Sequence, residues 1–498
     1  MRFSAVILVA CASWLAEGHL ADNMVHDTGL PTCHAALHQA THPPISAPMP
    51  PDIRGKWVST SCETRPGPQY VLRAYNFHRD GTFHLALHFY RDPHCAHPAH
   101  SLAAHGHLAL GRPSWVTPGG TEAEYTLSRV EVVAHTHRDA AMVAAAVNAS
   151  CPGKVTKPWK PHKAHTVLAY TETGNHVTED EDCGRGLGGA WHELQLLRVE
   201  ETSPLKAKKD PSSSSLRMRR ELFLGDLHTD LSKQDIYRPT GYQQPLLNTK
   251  YVSDCAVCGL VGRSNERSPA HLHAGPDLPL LLAGSWASHR CETRPYGMFL
   301  TRHIVFSPTD NDWKMTFRYY HDPECSRPSF TLAAHGSYAR AAPSPYAYDF
   351  HVSRMVLTPD DADLANALNS YKGKECGRPG SWETGKPQDI TPTGGCQAVG
   401  VRVPVVEKEI LRSGVDENGG MWLALGQTAT TPLQVGGLAR PTSWGPQLIR
   451  CRHYSPQDID NNLQPMVGAR TAYSAAHNHA QSLFSIVFLC LMVAIQAP

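Results

Sequence analysis

Residues 83–90 read Phe-His-Leu-Ala-Leu-His-Phe-Tyr, and residues 313–320 read Trp-Lys-Met-Thr-Phe-Arg-Tyr-Tyr. In both stretches, large apolar side chains alternate with smaller or polar ones. A period of two is typical of an antiparallel strand with one buried face. The stretches therefore predict equivalent strands, each with an apolar stripe facing a core: Phe83, Leu85, Leu87 and Phe89 in the first, and Trp313, Met315, Phe317 and Tyr319 in the second.

These strands belong to a long internal repeat with an offset near 229 residues. Four short motifs occur twice, in the same order along the chain. They are Gly-x-Trp at 55–57 and 284–286, Cys-Glu-Thr-Arg-Pro at 62–66 and 291–295, Asp-Pro-x-Cys at 92–95 and 322–325, and Leu-Ala-Ala-His-Gly at 102–106 and 332–336. Chance does not produce such an ordered series, so the chain contains two copies of one structural unit.

Each unit is predicted to be a mostly antiparallel β domain. The stretches 70–77 and 299–306 precede the striped strands and are expected to be their hairpin partners. One short helix per unit is expected, at 138–147 and at 360–369. A sheet with one apolar face must bury it against a second sheet or close into a barrel. Because Gly-x-Trp is also a lipocalin signature, we predict a mainly β chain of two tandem, lipocalin-like barrel domains.

The two ends of the chain carry targeting features. Residues 1–18 combine a charged start with an apolar run, which is typical of a secretory signal peptide. The apolar tail is shorter than the roughly 20 residues of a spanning helix. A short single span and a GPI-attachment signal both fit this tail, and either would place an extracellular ectodomain at the plasma membrane. The predicted organisation is a signal peptide (1–18), two repeats (19–256 and 257–452), a polar stalk (453–482) and the membrane tail (483–495).

Twelve cysteines lie between the two terminal segments, and an even number in a secreted chain indicates a disulfide framework. Six fall in each unit, which permits three bridges per unit without determining the pairing. Cys255 and Cys258 are interpreted as closing separate units rather than as a redox or zinc motif. The predicted disulfide cysteines are Cys33, Cys62, Cys95, Cys151, Cys183 and Cys255 in the first unit, and Cys258, Cys291, Cys325, Cys376, Cys396 and Cys451 in the second.

The composition excludes several classes of function. Lys and Arg number 46 against 45 Asp and Glu, a net charge of +1 that argues against a nucleic-acid binder. The sequence has no P-loop, dinucleotide-binding, α/β-hydrolase or zinc-protease motif, so no enzyme is predicted. The 30 histidines are scattered. His105 and His335 recur at equivalent positions and are interpreted as structural, so neither a metal site nor a cofactor is expected.

Two local features concern processing at the surface. Asn148-Ala149-Ser150 is the only N-glycosylation sequon, which predicts an exposed site at Asn148. Residues 206–220 form a basic, serine-rich insertion that the second unit lacks, and we interpret it as a flexible loop. Residues 217–220 also fit a furin-type cleavage pattern, so cleavage before Glu221 stays open.

Longer motifs closely resemble the adenomatosis polyposis coli down-regulated protein 1 family from about Cys33 to Cys451. They include GKWVSTSCE at 55–63, GGTEA at 119–123, HELQL at 192–196, ELFLGDLHTD at 221–230 and LTRH at 300–303. The resemblance implies a membrane-tethered glycoprotein that inhibits Wnt signalling at the cell surface. It also implies binding to Wnt ligand and to a low-density-lipoprotein-receptor-related co-receptor, and paired barrels that hold a fatty acyl chain. Whether the chain forms homo-oligomers stays open.

The predicted barrels and the family resemblance together give a hypothesis for the mechanism of Wnt inhibition. Wnt proteins carry a monounsaturated acyl chain, and burying roughly sixteen carbons stabilises a complex by on the order of 12 kcal/mol before other terms. Because association costs about 4–15 kcal/mol, the pocket must be pre-formed, as a disulfide-linked barrel would be. We expect one unit to sequester the acyl chain through the stripe residues. The alternatives are that the stripes are only core, and that the chain is a protein-binding module or a general lipid carrier.

Overall fold

The computed structural model describes residues 30–173, 176–179, 182–202, 219–252, 255–273, 279–373, 375–416, 419–430 and 439–452. The predicted signal peptide, stalk and membrane tail lie outside the described residues, as does most of the basic insertion. In the part of the chain that is described, no helix has both the length and the apolar character needed to cross a membrane.

The first sheet closes into a barrel, as the repeated strand pattern predicts. Its strands are β1 (Ile45–Ser46), β2 (Gly55–Val58), β3 (Glu63–Arg65), β4 (Gln69–Phe77), β5 (Thr82–Tyr90), β6 (Pro98–Pro113), β7 (Thr121–Ala134), β8 (Ala164–Thr173), β9 (His176–Glu179), β10 (Leu196–Thr202), β11 (Arg219–Leu224) and β12 (Leu246–Asn248). Among these, eight form an antiparallel ring in the order β10-β11-β12-β2-β4-β5-β6-β7, and pairing of β7 with β10 closes it. We call this ring barrel one.

The second sheet repeats this architecture. Its strands are β13 (Gly284–Ser288), β14 (Glu292–Arg294), β15 (Met298–Phe306), β16 (Asp312–Tyr320), β17 (Pro328–Arg340), β18 (Ala347–Pro359), β19 (Gln388–Asp389), β22 (Val406–Val415), β23 (Met421–Gly426) and β24 (Trp444–Cys451), while the short β20 (Gly395–Cys396) and β21 (Val401–Arg402) pair separately. The ring runs β13-β24-β23-β22-β18-β17-β16-β15, and β13 pairs with β15 to close it. We call it barrel two. The prediction of two tandem lipocalin-like barrels is confirmed.

Within the described ranges, four α-helices accompany the barrels: α1 (Cys33–Thr41), α2 (His137–Ser150), α3 (Ala256–Arg263) and α4 (Ala362–Ser370). Helices α2 and α4 confirm the one helix predicted in each unit. Each begins at a side-chain cap, because Thr136 Oγ1 accepts a hydrogen bond from the Asp139 amide and an Asp361 carboxylate oxygen accepts one from the Leu364 amide.

The repeated motifs occupy positions where the barrel geometry restricts the residue type. Gly106 and Gly336 lie at equivalent β-bulges, and a Cβ atom there would approach a main-chain oxygen to 2.0 and 1.8 Å respectively. Only glycine therefore fits where the strands bend around the barrel. The tryptophans of Gly-x-Trp, Trp57 and Trp286, are fully buried, and each donates a hydrogen bond from its indole to a main-chain oxygen four residues earlier.

The disulfides differ from the predicted distribution. Each repeat contains two internal bridges, Cys62–Cys95 and Cys151–Cys183 in the first, and Cys291–Cys325 and Cys376–Cys396 in the second. Cys255 and Cys258 bond to each other, and Cys33 bonds to Cys451 at the far end of the second repeat. The three bridges inside each repeat that the cysteine count permits are therefore not formed, and the interpretation that Cys255 and Cys258 close separate units is wrong. Spacing alone could not show that the N-terminal segment packs on barrel two.

Helices α1 and α3 pack on different barrels, and only α1 crosses from one to the other. Helix α1 precedes barrel one in sequence but packs on β13 of barrel two, where Ala36 contacts the buried cluster of Ala287 and Cys451. Helix α3 follows barrel one and packs back on its outer surface, where Val261 joins Val58 in one buried cluster. The barrels also contact each other directly, since Arg290 Nη2 of barrel two lies 2.8 Å from a carboxylate oxygen of Glu221 in barrel one.

Candidate functional site

The stripe of barrel one is solid core. Phe83, Leu85, Leu87 and Phe89 are at most 5 % exposed and belong to one buried cluster with residues of the surrounding strands. Leu102 and Ala104 on β6 face this stripe and are equally buried. Side chains packed this closely leave no accessible surface for a ligand. The structure therefore places these four predicted site residues in the packed interior.

The equivalent stripe of barrel two is different, because only one end of it is packed. Trp313 is 4 % exposed, whereas Met315, Phe317 and Tyr319 are half-buried. Half-buried side chains continue on the neighbouring strands: Tyr338 on β17, Val352 and Met355 on β18, and Glu407 and Glu409 on β22. Since side chains of a barrel strand alternate between inside and outside, these accessible inward residues line a space within barrel two.

Buried charged residues lie inside barrel one at one end. Arg73 donates to both carboxylate oxygens of Glu63, at 3.1 and 2.7 Å, and Arg65 Nη2 lies 2.5 Å from Glu193 Oε2. Tyr75 and Gln243 also donate hydrogen bonds to Glu193, which comes from the HELQL motif. Two arginines are thus matched by two carboxylates, as buried charges require.

Barrel two has an equivalent cluster with a different ratio of arginines to carboxylates. Both Arg294 and Arg302 pair with one carboxylate, Glu292, at 2.8 and 2.9 Å. Burial opposes the charge of Glu292, but the two guanidinium groups hold its pKa below the ordinary value. Ile304 stands where barrel one has Tyr75. The remaining negative charge comes from β22 instead, through Glu407 and Glu409.

Glu407 and Glu409 face the interior of barrel two. Their cross-strand neighbours on β18 are Phe350 and Tyr348, and Phe350 belongs to the buried core. Burial raises the pKa of both carboxyl groups, and that of Glu409 reaches about 8 because Glu407 adds like-charge repulsion. We call Glu292, Arg294, Arg302, Glu407 and Glu409, together with Tyr319, the polar cluster; its charges act on the pKa of Tyr319, which burial raises.

Tyr319 lies at one end of the stripe of barrel two. A cavity of about 370 Å³ lies there, and the rings of Tyr319 and Phe330 stack on its wall with centroids 4.3 Å apart. Helix α4 contributes Leu364, and Trp115 of barrel one forms part of the rim with 78 % of its surface exposed. We call this cavity the mouth. Its aromatic lining suits an apolar ligand.

A larger cleft of about 1640 Å³ is lined by residues of both barrels. Its wall combines charged side chains such as Arg198 and Glu200 with apolar ones such as Phe223 and Trp422. A mixed wall of this kind is typical of a protein-binding surface rather than of a pocket for a hydrocarbon chain.

The other predicted sites are placed as follows. Asn148 lies exposed near the end of α2. Cys33, His303 and Cys451 bring three potential metal-ligand atoms within 4.8 Å of one another, but both sulfurs are joined in a disulfide and are not thiolates. Arg219 and Arg220 begin strand β11, and Arg220 is only 7 % exposed. The bond before Glu221 thus lies in a paired strand, a poor substrate for a protease.

Sequence reasoning missed Glu193, Glu407, Glu409 and Trp115. The stretch Val406-Glu407-Lys408-Glu409-Ile410 has three consecutive charged residues between two aliphatic ones, which resembles a solvent-exposed edge strand. Nothing in that pattern shows that the glutamates point inward. The only available indication was the repeat itself, since barrel two lacks a counterpart of the HELQL glutamate and needs another source of negative charge.

Comparison with known protein families agrees with this architecture. The family model described as adenomatosis polyposis coli down-regulated 1 matches residues 32–273 and 276–392. The match spans all of barrel one and the β13–β18 part of barrel two. It is consistent with a Wnt-pathway-related protein of the cell surface, and with a binding protein rather than an enzyme. Because most of the sequence is matched, this chain belongs to the adenomatosis polyposis coli down-regulated 1 family.

Proposed function

We propose that this chain is a cell-surface negative regulator of Wnt signalling, and that barrel two sequesters the acyl chain of the Wnt ligand. In this function the chain binds Wnt and its low-density-lipoprotein-receptor-related co-receptor from an extracellular, membrane-attached position. The acyl chain then becomes unavailable to the Wnt receptor.

One observation carries the assignment to barrel two. The two stripes are equivalent by sequence, yet that of barrel one is packed and that of barrel two lines accessible space from Met315 to Tyr319. Two disulfides within the repeat and the closed strand ring hold this space in shape before binding. Burying the acyl chain contributes roughly 12 kcal/mol to the binding free energy. In a pre-formed pocket little of this is offset, because few side chains and loops of the protein must become ordered on binding.

The acyl chain would enter barrel two through the mouth. The rim residues Trp115, Phe330 and Leu364 contact the first carbons, and Phe317 and Met315 contact the middle of the chain. Trp313 and Phe306 are buried and close the far end. The ester that joins the acyl chain to Wnt then stays near the polar cluster, and the Wnt protein remains outside the barrel.

Filling the space tests this function. In the full chain on the cell surface, Met315→Trp should weaken binding of acylated Wnt by more than about tenfold, because the larger ring occupies the path of the chain. Thr316→Trp lies on the outer face of the same strand and is the matched control, with binding expected to be unchanged. Surface abundance of each variant is measured in parallel, together with a Wnt reporter. Normal Wnt binding by an abundant Met315→Trp variant would refute the assignment to barrel two.

The cleft between the barrels supports a second candidate function, a module that binds Wnt or the co-receptor through protein contacts alone. Its volume of about 1640 Å³ and its mixed lining fit a protein loop. Under this alternative, Wnt without its acyl chain binds as well as acylated Wnt, and Met315→Trp has no effect. A general lipid carrier would instead bind free lipids as tightly as acylated Wnt.

A further inference from the structure

The interior of barrel two has charged groups that a simple hydrocarbon pocket does not need. Arg294 Nη1 donates to Thr428 at 2.6 Å, and Arg302 Nη2 donates to the main-chain oxygen of Pro446 at 2.7 Å, in addition to their pairs with Glu292. Both guanidinium groups thus have partners, although Arg294 Nε is buried without one in the described part of the chain. In many fatty-acid sites an arginine receives the lipid carboxylate, whereas here both arginines are already paired with the carboxylate of Glu292.

Glu407 and Glu409 add negative charge near these arginines. Glu409 accepts hydrogen bonds from the amides of Gly426 and Ile410, at 3.0 and 3.3 Å. Arg440 lies close by, but it donates to the main-chain oxygen of Glu409 and pairs with Asp349. Among the described residues, no basic side chain forms an ion pair with the carboxylate of Glu407 or Glu409.

The charges inside barrel two therefore balance without a ligand. Arg294 and Arg302 contribute two positive charges, and Glu292 contributes one negative charge. Burial raises the pKa of Glu407 and Glu409, and repulsion by Glu407 helps to raise that of Glu409 to about 8. The pair therefore does not carry two full charges at neutral pH, and ionisation of either carboxyl group supplies the second negative charge. A ligand carboxylate would bring a further charge that nothing in the cavity compensates.

We propose that barrel two selects its ligand by charge, admitting acyl chains with an uncharged ester or amide head and excluding the carboxylate of a free fatty acid. This inference rests on the proposed acyl-binding function and gives it a substrate class. The benefit is specificity, since free fatty acids are the obvious competitors for a cavity that must hold an esterified chain. The selective element is the Glu407–Glu409 pair, through unfavourable charge rather than through an added contact.

The test compares two photoreactive alkyne lipids of identical chain, one a free acid and the other its methyl ester, on chilled cells that display the full chain. Crosslinking to the wild-type protein should favour the ester by about tenfold or more. In the Glu407→Gln/Glu409→Gln double variant the ratio should fall towards one, because labelling by the acid rises while labelling by the ester stays. Glu409→Gln alone leaves one carboxylate in the pair and should keep the wild-type ratio, as should the exposed control Glu124→Gln.

Each outcome decides a separate point. Equal labelling of the wild type by ester and acid, or an unchanged ratio in the displayed double glutamine variant, overturns selection by charge and leaves acyl binding intact. Failure of the ester to label the protein at all, or undiminished labelling of Met315→Trp, overturns the proposed function itself.

Discussion

At the scale of single residues, a buried histidine chain sets the acid sensitivity of barrel one. His88 is fully buried, with Nδ1 placed 2.8 Å from Ser101 Oγ and Nε2 placed 3.1 Å from Ser264 Oγ. Ser101 also contacts His135 at 2.8 Å. Burial, reinforced by the neighbouring histidine, lowers the pKa of His88 to about 3, and burial with nearby histidines lowers that of His135 to about 4.

The sign of the pH dependence follows from these values. An unfolded histidine has a pKa near 6.5, so between about pH 6.5 and 3 the unfolded chain binds a proton at His88 that the folded chain does not bind. Stability is fully present above pH 6.5 and is lost as the pH falls towards 3. We expect His88 alone to account for about 2 kcal/mol of lost unfolding free energy at pH 5. Unfolding of wild type and His88→Gln measured from pH 7 to 4 checks this, and equally steep curves would contradict it.

At the scale of elements, the bridge Cys33–Cys451 attaches α1 to barrel two. The helix buries only small residues, Ala36 and Ala40, so its nine residues gain little from packing. Its position therefore depends on the covalent link to β24 and on two main-chain hydrogen bonds of Arg452, which accepts one from the Cys33 amide and donates one to the carbonyl oxygen of Pro31.

Removing that bridge should release the helix. We expect Cys33→Ser/Cys451→Ser to lower the unfolding free energy of barrel two by about 2–4 kcal/mol and to expose the α1 amides to hydrogen exchange. Barrel one should keep its exchange rates and serves as the internal control. Unchanged protection of α1 in the double variant would mean that non-covalent packing alone holds the helix.

The elements that sequence could predict are those with local patterns. The alternation of apolar and polar residues predicted strands β5 and β16, and acidic residues before short apolar stretches predicted helices α2 and α4. Closure of both strand rings could be predicted because each sheet must bury its apolar face. The Cys33–Cys451 pairing could not be predicted, because contacts between residues 418 apart leave no local pattern. The difference between the two stripes could not be predicted either, since Leu85 and Met315 differ in exposure only through the residues that surround them.

At the scale of the whole molecule, the barrels meet through charged contacts as well as apolar ones. Glu221 is 4 % exposed and pairs with Arg290 of barrel two, and the Arg290 guanidinium also stacks on Phe223 at 5.4 Å from the ring centre. Arg219 gives Glu221 a second, more exposed partner at 3.0 Å. The burial of Glu221 lets this contact couple the stability of the two barrels.

A double-mutant cycle measures that coupling. Arg290→Ala should lower the unfolding free energy by about 2 kcal/mol, because Glu221 stays buried with only its exposed partner. Glu221→Gln added to it should recover part of this loss, since an uncharged side chain tolerates burial. Thermal unfolding of the two single variants and the double variant gives the coupling, and strictly additive effects would show that the contact does not join the barrels energetically.

The Cys33–Cys451 bond also has a mechanical consequence. It brings the Cα atoms of the two residues to 4.9 Å and makes the chain between them a covalent ring. Tension applied to the segments outside this ring passes through the sulfur–sulfur bond and bypasses the β ladders. Pulling the two segments apart therefore leaves the strands of both barrels unstretched.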